Sequence, residues 1–217
     1  MEQALFITFE GIEGCGKTTQ VKRLSSRLTL LKIAHVLTLE PGGTPVGRRI
    51  RQVLLDSGNR NLSLLAELLL YAADRAQHVE EVVRPALRQG KWVVCDRFFD
   101  ATVAYQGHAR GQDMALIGLL NQKACGGILP DFTFLLDCPV QVGLERAFRR
   151  NMEDLTLKQD RFERENEGFH LAVREGYLIL AKENPERFVV VNASLSEDEM
   201  EEQIWRHLGV RIPKGAD

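Results

Sequence analysis

One octapeptide restricts this chain more than any other part of it. Gly11-Ile12-Glu13-Gly14-Cys15-Gly16-Lys17-Thr18 has the spacing GxxxxGKT and follows the apolar run Leu5-Phe6-Ile7-Thr8-Phe9. Consecutive backbone N–H groups in such a loop turn inward and wrap a phosphate chain. Glycines at 11, 14 and 16 permit the close approach and positive φ angles that wrapping demands. Lys17 is placed to neutralise β- and γ-phosphates, and the Thr18 hydroxyl to ligate Mg²⁺. Beyond the loop, Val21, Leu24, Leu28 and Leu31 recur at helical intervals, so the loop opens a helix whose N-terminus is itself an anion site. A strand, a phosphate loop and a helix in that order point to nucleotide binding on an α/β frame.

Four further apolar, β-branched runs follow, Ile33–Leu39, Trp92–Cys95, Phe132–Leu136 and Phe188–Val191, with helical patterns between them. Strands alternating with helices require right-handed crossovers, which predicts a three-layer α/β fold with a five-stranded parallel sheet covered on both faces. With no repeats, low-complexity tracts or linker-like stretches, residues 1–217 read as a single domain with a short lid at about 147–160. Lys+Arg 28 against Asp+Glu 30 gives a net charge of -2, so no global basic field favours nucleic acid or an anionic membrane. Four cysteines without CxxC spacing indicate neither zinc nor a disulfide framework, and read as reduced cytosolic thiols. Neither a signal peptide nor a membrane span is expected, which suits a cytoplasmic protein.

In parallel sheets the ligand crevice lies beyond the carboxyl ends of the strands. The residues there are rich in chemistry: Glu40-Pro41-Gly42-Gly43-Thr44-Pro45 after the second run, Asp96-Arg97 after the third, and Asp137 after the fourth, before a helix bearing Arg146, Arg149 and Arg150. Thr44 and Pro45 read as N-cap and first residue of a helix reaching about Leu55, and Ser196 with Glu199 as the capping box of the last helix. Asp96 suits water-mediated Mg²⁺ binding or a turn cap; Arg97 suits an acceptor phosphate or a surface ion pair. Glu13 is odd in a phosphate cradle and needs a partner, the acceptor sugar or the metal.

The helical pattern from Ser63 to Gln89 places Leu65, Leu68, Leu69, Ala72, Ala76, Val79 and Val83 on a core stripe, and Tyr71, Asp74, Arg75 and His78 on another side. That polar side is either a solvated face or a place where an aromatic ring and an arginine one turn apart meet a flat ligand. His78 reads as a polar helix residue, and Pro85 as a kink near the helix end. The stretch Asn151 to Gln159 reads as a lid or as a solvated connection, leading to a helix with Phe162, Phe169, Val173 and Leu180 on one side.

Taken together, FEGxxGxGKTTQ (Phe9 to Gln20, including Thr19), EPGGT (Glu40 to Thr44), YAADRAQHV (Tyr71 to Val79), DRFxxATVAYQG (Asp96 to Gly107), LPD (Leu129 to Asp131) and DRFE (Asp160 to Glu163) closely resemble the bacterial thymidylate kinases of the nucleoside monophosphate kinase superfamily. The resemblance implies transfer of the ATP γ-phosphoryl group to dTMP with Mg²⁺, in a homodimer. It also implies that Tyr71 stacks on thymine and that Arg75 bonds a base carbonyl. By the same resemblance, Gln106 and Thr102 would read the base edge, and Tyr105 would crowd the sugar 2′ carbon. It likewise implies that Arg97 binds the acceptor phosphate, with Glu40 nearby organising metal-bound water. Members of the family carry a catalytic arginine in the phosphate loop or in the lid. Gly14 stands at the loop position here, so Arg149 and Arg150 become the candidates, with Arg146 against adenine. Ala101 replaces a serine of the pattern, and Met152, Leu155 and Leu157 make the lid atypical.

Two alternatives define what to test. A P-loop kinase for another nucleotide or a deoxynucleoside shares the loop. A nucleotide-driven switch would carry NKxD, or DxxG after the third strand, and the sequence has neither.

Overall fold

A computed structural model of the chain describes residues 4–59, 61–153 and 161–209. Five strands form one parallel sheet: β1 (Phe6–Glu10), β2 (His35–Leu39), β3 (Trp92–Asp96), β4 (Phe132–Asp137) and β5 (Phe188–Asn192), in the order β2-β3-β1-β4-β5. β1 lies at the centre, paired with β3 and β4. Every residue of β1 is buried, as expected for a strand covered on both faces. Phe9 stacks obliquely on Phe134, while Phe6 meets Phe98 edge to face across the other layer. Truncating such a ring to alanine costs about 3–5 kcal/mol.

Helix α1 (Lys17–Leu30) buries Val21, Leu24 and Leu28 against the sheet. Helix α2 (Pro45–Leu55) starts as its sequence dictates, with Thr44 accepting from the Gly47 amide at 2.9 Å and proline in the first turn. The last helix, α9 (Glu197–Leu208), has both halves of its capping box. Helix α8 (Glu167–Glu183) opens on Asn166, so Phe162 precedes it in a turn and does not share its face; the ring still stacks with Phe169 at 6.2 Å.

The segment from Ser63 departs most from its sequence pattern. Helix α3 (Leu64–His78) passes into a π-helical turn, Val79–Val83, before α4 (Arg84–Arg88), so the irregularity falls ahead of Pro85, which sits in the first turn of α4. Its apolar and polar sides are also partly exchanged. Leu65, Leu69 and Ala76 are exposed, whereas Glu67, Asp74, Arg75 and His78 are buried. Periodicity locates two faces of a helix but cannot say which one meets the core when the core side carries a complete set of hydrogen-bond partners.

The remaining helices are α5 (Phe99–Thr102), continuing into a π-helical stretch Val103–Ala109, then α6 (Met114–Cys125) and α7 (Val140–Glu153). The first part of the expected lid, 147–153, is the continuous end of α7. Leu155, Leu157 and Asp160 lie outside the described residues.

Candidate active site

A cleft of about 630 Å³ opens at the carboxyl ends of β1, β2 and β3. Glu13, Gly14, Lys17 and Thr18 form one side of it. Tyr71, Arg75, Thr102, Tyr105 and Gln106 form the other, with Glu40, Asp96 and Arg97 between. Four separate stretches of sequence therefore meet in one space.

On the loop side, Lys17 is buried and its Nζ donates to the carbonyls of Ile12 at 2.7 Å and Gly11 at 3.1 Å, and to Cys15 Sγ at 3.4 Å. Thr18 Oγ1 donates to Asp96 Oδ2 at 2.7 Å. A hydroxyl and a carboxylate joined at the mouth of a phosphate loop are the oxygen donors a hard divalent cation takes. Ile12 and Cys15 are buried and lend the loop their backbone; Gly16, with φ +98°, caps α1 without a side chain. Gly14 has φ +69°, and a Cβ there would lie 1.9 Å from the Gly143 carbonyl of α7. No side chain fits at that position, which agrees with a loop that carries no arginine.

Arg97 is the hub. Its backbone is left-handed, φ +71°, a conformation that costs a non-glycine residue energy and is held by its surroundings. The Cys95 thiol donates to the Arg97 carbonyl at 2.9 Å, and the Arg97 amide donates to Phe9 O at 3.0 Å. The guanidinium then reaches Gly11 O, Tyr177 OH, Glu13 Oε1 and Tyr105 OH at 2.9–3.1 Å. Glu13 thus has the partner that its place in the loop requires. Burial pushes its carboxyl up, but His170, Arg97, Lys17 and Tyr105 outweigh this and hold it at about 2. His170 is fully buried, with Nδ1 3.4 Å from Glu13 Oε2. Three residues earlier, Glu10 accepts from the Phe98 amide and the Tyr177 hydroxyl, both at 2.7 Å. Burial, with Asp100 adding to it, pushes Glu10 up to about 8 against the opposing pull of Arg97, Tyr177 and Phe98.

The far wall is a closed network. Arg75, 1 % exposed, donates to Glu40 Oε2 at 2.9 Å, Asn121 Oδ1 at 2.8 Å, Thr102 Oγ1 at 2.9 Å and Phe98 O at 3.4 Å. Glu40 Oε1 also meets His78 Nδ1 at 2.8 Å, and His78 Nε2 meets Thr38 Oγ1 at 2.7 Å. His78 is therefore an interior residue that orients Glu40, not a polar surface residue. Both Glu40 oxygens are engaged, Oε2 with Arg75 and Oε1 with His78. Asp74 beside them accepts from the Gly42 amide at 3.1 Å; burial and then Glu40 push it up to about 6.

Of the three arginines on α7, Arg150 lines the cleft and donates to Glu163 at 3.2 Å. Arg146 turns to the Ala193 carbonyl at 3.2 Å, and Arg149 is exposed; neither borders the cleft, nor does Thr19. Sequence reading missed Arg51, whose NH1 donates to Pro41 O at 2.9 Å and which faces the cleft beside Arg97. Helix α2 carries Arg48 and Arg49 as well, and only the fold tells which of the three faces inward. Tyr177, His170 and Glu67 were also missed. Each sits on an ordinary helical period, and what marks it is a neighbour distant in the chain.

Comparison with known proteins supplies the family. A family model described as Thymidylate kinase matches residues 9–204. The chain is 51 % identical over 210 residues to a thymidylate kinase of Geotalea uraniireducens (strain Rf4), covering 97 % of this chain and 99 % of that protein. It is 58 % identical over 189 residues to one of Geobacter sp. (strain M21), covering 87 % and 84 %. The fold is similar to the crystal structure of thymidylate kinase from Ehrlichia chaffeensis, with a TM-score of 0.75 at 34 % identity over 95 % of this chain and 98 % of that one.

Proposed function

Because the chain belongs to the thymidylate kinase family, we propose that it transfers the γ-phosphoryl group of ATP to dTMP, giving dTDP and ADP, with the residues of this cleft in the roles that follow. The observation that carries the reading is the opposition, across one cleft, of the Lys17 loop and the Tyr71–Arg75 wall. Phosphoryl transfer asks a protein chiefly for alignment and charge placement.

The amides of residues 11–18 and Thr19 hold the triphosphate, and Lys17 exchanges loop carbonyls for phosphate oxygens. Arg97, fixed by Glu13, Tyr105 and Tyr177, presents its charge to the acceptor phosphate, with Arg51 beside it. Tyr71 offers its ring to the base, Arg75 and Gln106 read its edge, and Tyr105 closes on the sugar. Arg150 is the arginine of α7 that reaches the transferring phosphate; Arg149 and Arg146 serve at the donor's outer side. Thr18 and Asp96, already 2.7 Å apart, fit Mg²⁺, with Glu40 ordering its surroundings. Bound there, the ion supplies charge neutralisation at the phosphates.

A homodimer is supported by the apolar side of α3, where Leu64, Leu65 and Leu69 are 45 %, 52 % and 47 % exposed, and by Met114 and Leu119 on the adjoining α6. Among the described residues no helix is long and apolar enough to cross a membrane. A cytoplasmic setting and small-molecule partners, without nucleic acid, complete the proposal. ADP release measured with dTMP, dUMP, dCMP, AMP and thymidine tests the substrate, dTMP being expected as the best; a better substrate among the others overturns it. Sedimentation tests the dimer, and a single monomeric species would reject it.

A further inference from the structure

Glu67 has no part in the family motifs quoted above, yet it is a fully enclosed carboxylate behind the cleft wall. Its side chain is 0 % exposed and lies on the inner side of α3, one turn before Tyr71. Oε2 accepts from Arg161 NH2 at 2.5 Å, and Arg110 Nε stands 3.5 Å from Oε1. Oε1 also accepts from Gln106 Nε2 at 2.8 Å. A primary amide can present either a donor or an acceptor to a ligand, depending on which way it is turned. A carboxylate flanked by two guanidinium groups can only accept, so it draws the amide nitrogen and leaves the carbonyl as the free end. Gln106 borders the cleft, and its Oε1 accepts no hydrogen bond among the described residues.

We propose that Glu67 is a positioning residue for base selection: by holding the Gln106 nitrogen it makes that residue a hydrogen-bond acceptor toward the cleft. A pyrimidine-2,4-dione, whose ring N3 carries a hydrogen, is thereby favoured over a 4-aminopyrimidine, whose N3 is a bare acceptor. An acceptor facing an acceptor leaves two buried groups unpaired, the kind of mismatch that discriminates strongly. The same carboxylate ties the base-reading side to the end of α2, because Arg161 also donates to Leu54 O at 3.0 Å.

This inference rests on the dTMP reading, and the test separates the two. Steady-state kcat/KM for dTMP and dCMP is measured in the full chain, in Glu67→Gln, Glu67→Asp and Gln106→Met, and in the Glu67→Gln/Gln106→Met double variant. Glu67→Gln should lower the preference for dTMP over dCMP by about tenfold or more. The loss should fall on the acceptor KM, with the KM for ATP unmoved. Gln106→Met should do the same, and the double variant no more than either single one. Glu67→Asp keeps the charge that Arg161 and Arg110 need while withdrawing it from Gln106; it should lower the preference partway, and it decides the matter together with Gln106→Met if Glu67→Gln does not fold. An undiminished preference in Gln106→Met or Glu67→Asp, or additive losses in the double variant, overturns the role of Glu67. If the unaltered protein prefers an acceptor other than dTMP, the functional reading itself fails.

Discussion

On the α3 side of the cleft, Arg75 directs its donors to Glu40, Asn121, Thr102 and Phe98, and Glu40 is held in turn by His78. On the loop side, Lys17 rests on the carbonyls of Gly11 and Ile12, and Arg150 keeps a side chain 57 % exposed. The first wall is complete before any nucleotide arrives, so binding there reads a shape already set. The second is made of groups whose present partners are weaker than a phosphate, and they rearrange when one arrives. Selectivity suits the rigid wall, and phosphate binding suits the adaptable one.

Substitutions can break this contrast. The largest effect is expected from Lys17→Ala, which should lower turnover by about two to three orders of magnitude with the thermal transition in place. Near-normal turnover would contradict the assignment. Arg150→Ala should follow with about a hundredfold loss in kcat, while Arg149→Ala, exposed and away from the cleft, should stay within about a few fold. Equal losses in the two would remove the distinction drawn between them. Arg75→Ala tests the other wall. It should raise the KM for dTMP far more than that for ATP, and should cost about 3–5 kcal/mol of stability, because Glu40 is left buried without its counter-charge. Urea titration and kinetics on the same sample measure both, and equal losses for the two nucleotides would argue against base reading.

The smallest expected effect sharpens the comparison at Glu10 and Glu13, carboxylates on either side of Gly11. Glu10 is pushed up to about 8, chiefly by burial. Its protonated form therefore adds stability that is full below its ordinary value of 4.5 and is lost as pH rises through about 8. Glu13, held at about 2, behaves oppositely: its contribution is present above 4.5 and lost as pH falls through about 2. Glu10→Gln should flatten the decline in stability between pH 4.5 and 8, as followed by denaturant unfolding. An unchanged profile would mean that another group governs that range.

Much of the fold was legible in the chain. The strands, the phosphate loop, the Thr44 and Ser196 caps and the residues gathered past each strand end all follow from local pattern, because strand period, glycine placement and capping are short-range properties. Helix α3 was read less well. Leu65 and Leu69 face outward and Arg75 and His78 inward, since the inner face is held by Asn121, Glu40 and Thr38, which no window on the helix contains.

By itself, then, the sequence determined that a phosphate loop joins a strand to a helix in a parallel α/β sheet, and that Lys17, Glu40, Tyr71, Arg75 and Arg97 gather at its crevice. Only the tertiary structure decided which of them are engaged with one another: that Glu13 pairs with Arg97, that Arg51 and Arg150 face the cleft while Arg146 does not, and that Glu67 orients Gln106. The physical reason is that charge state and amide orientation depend on neighbours a few ångströms away in space and many residues away in the chain.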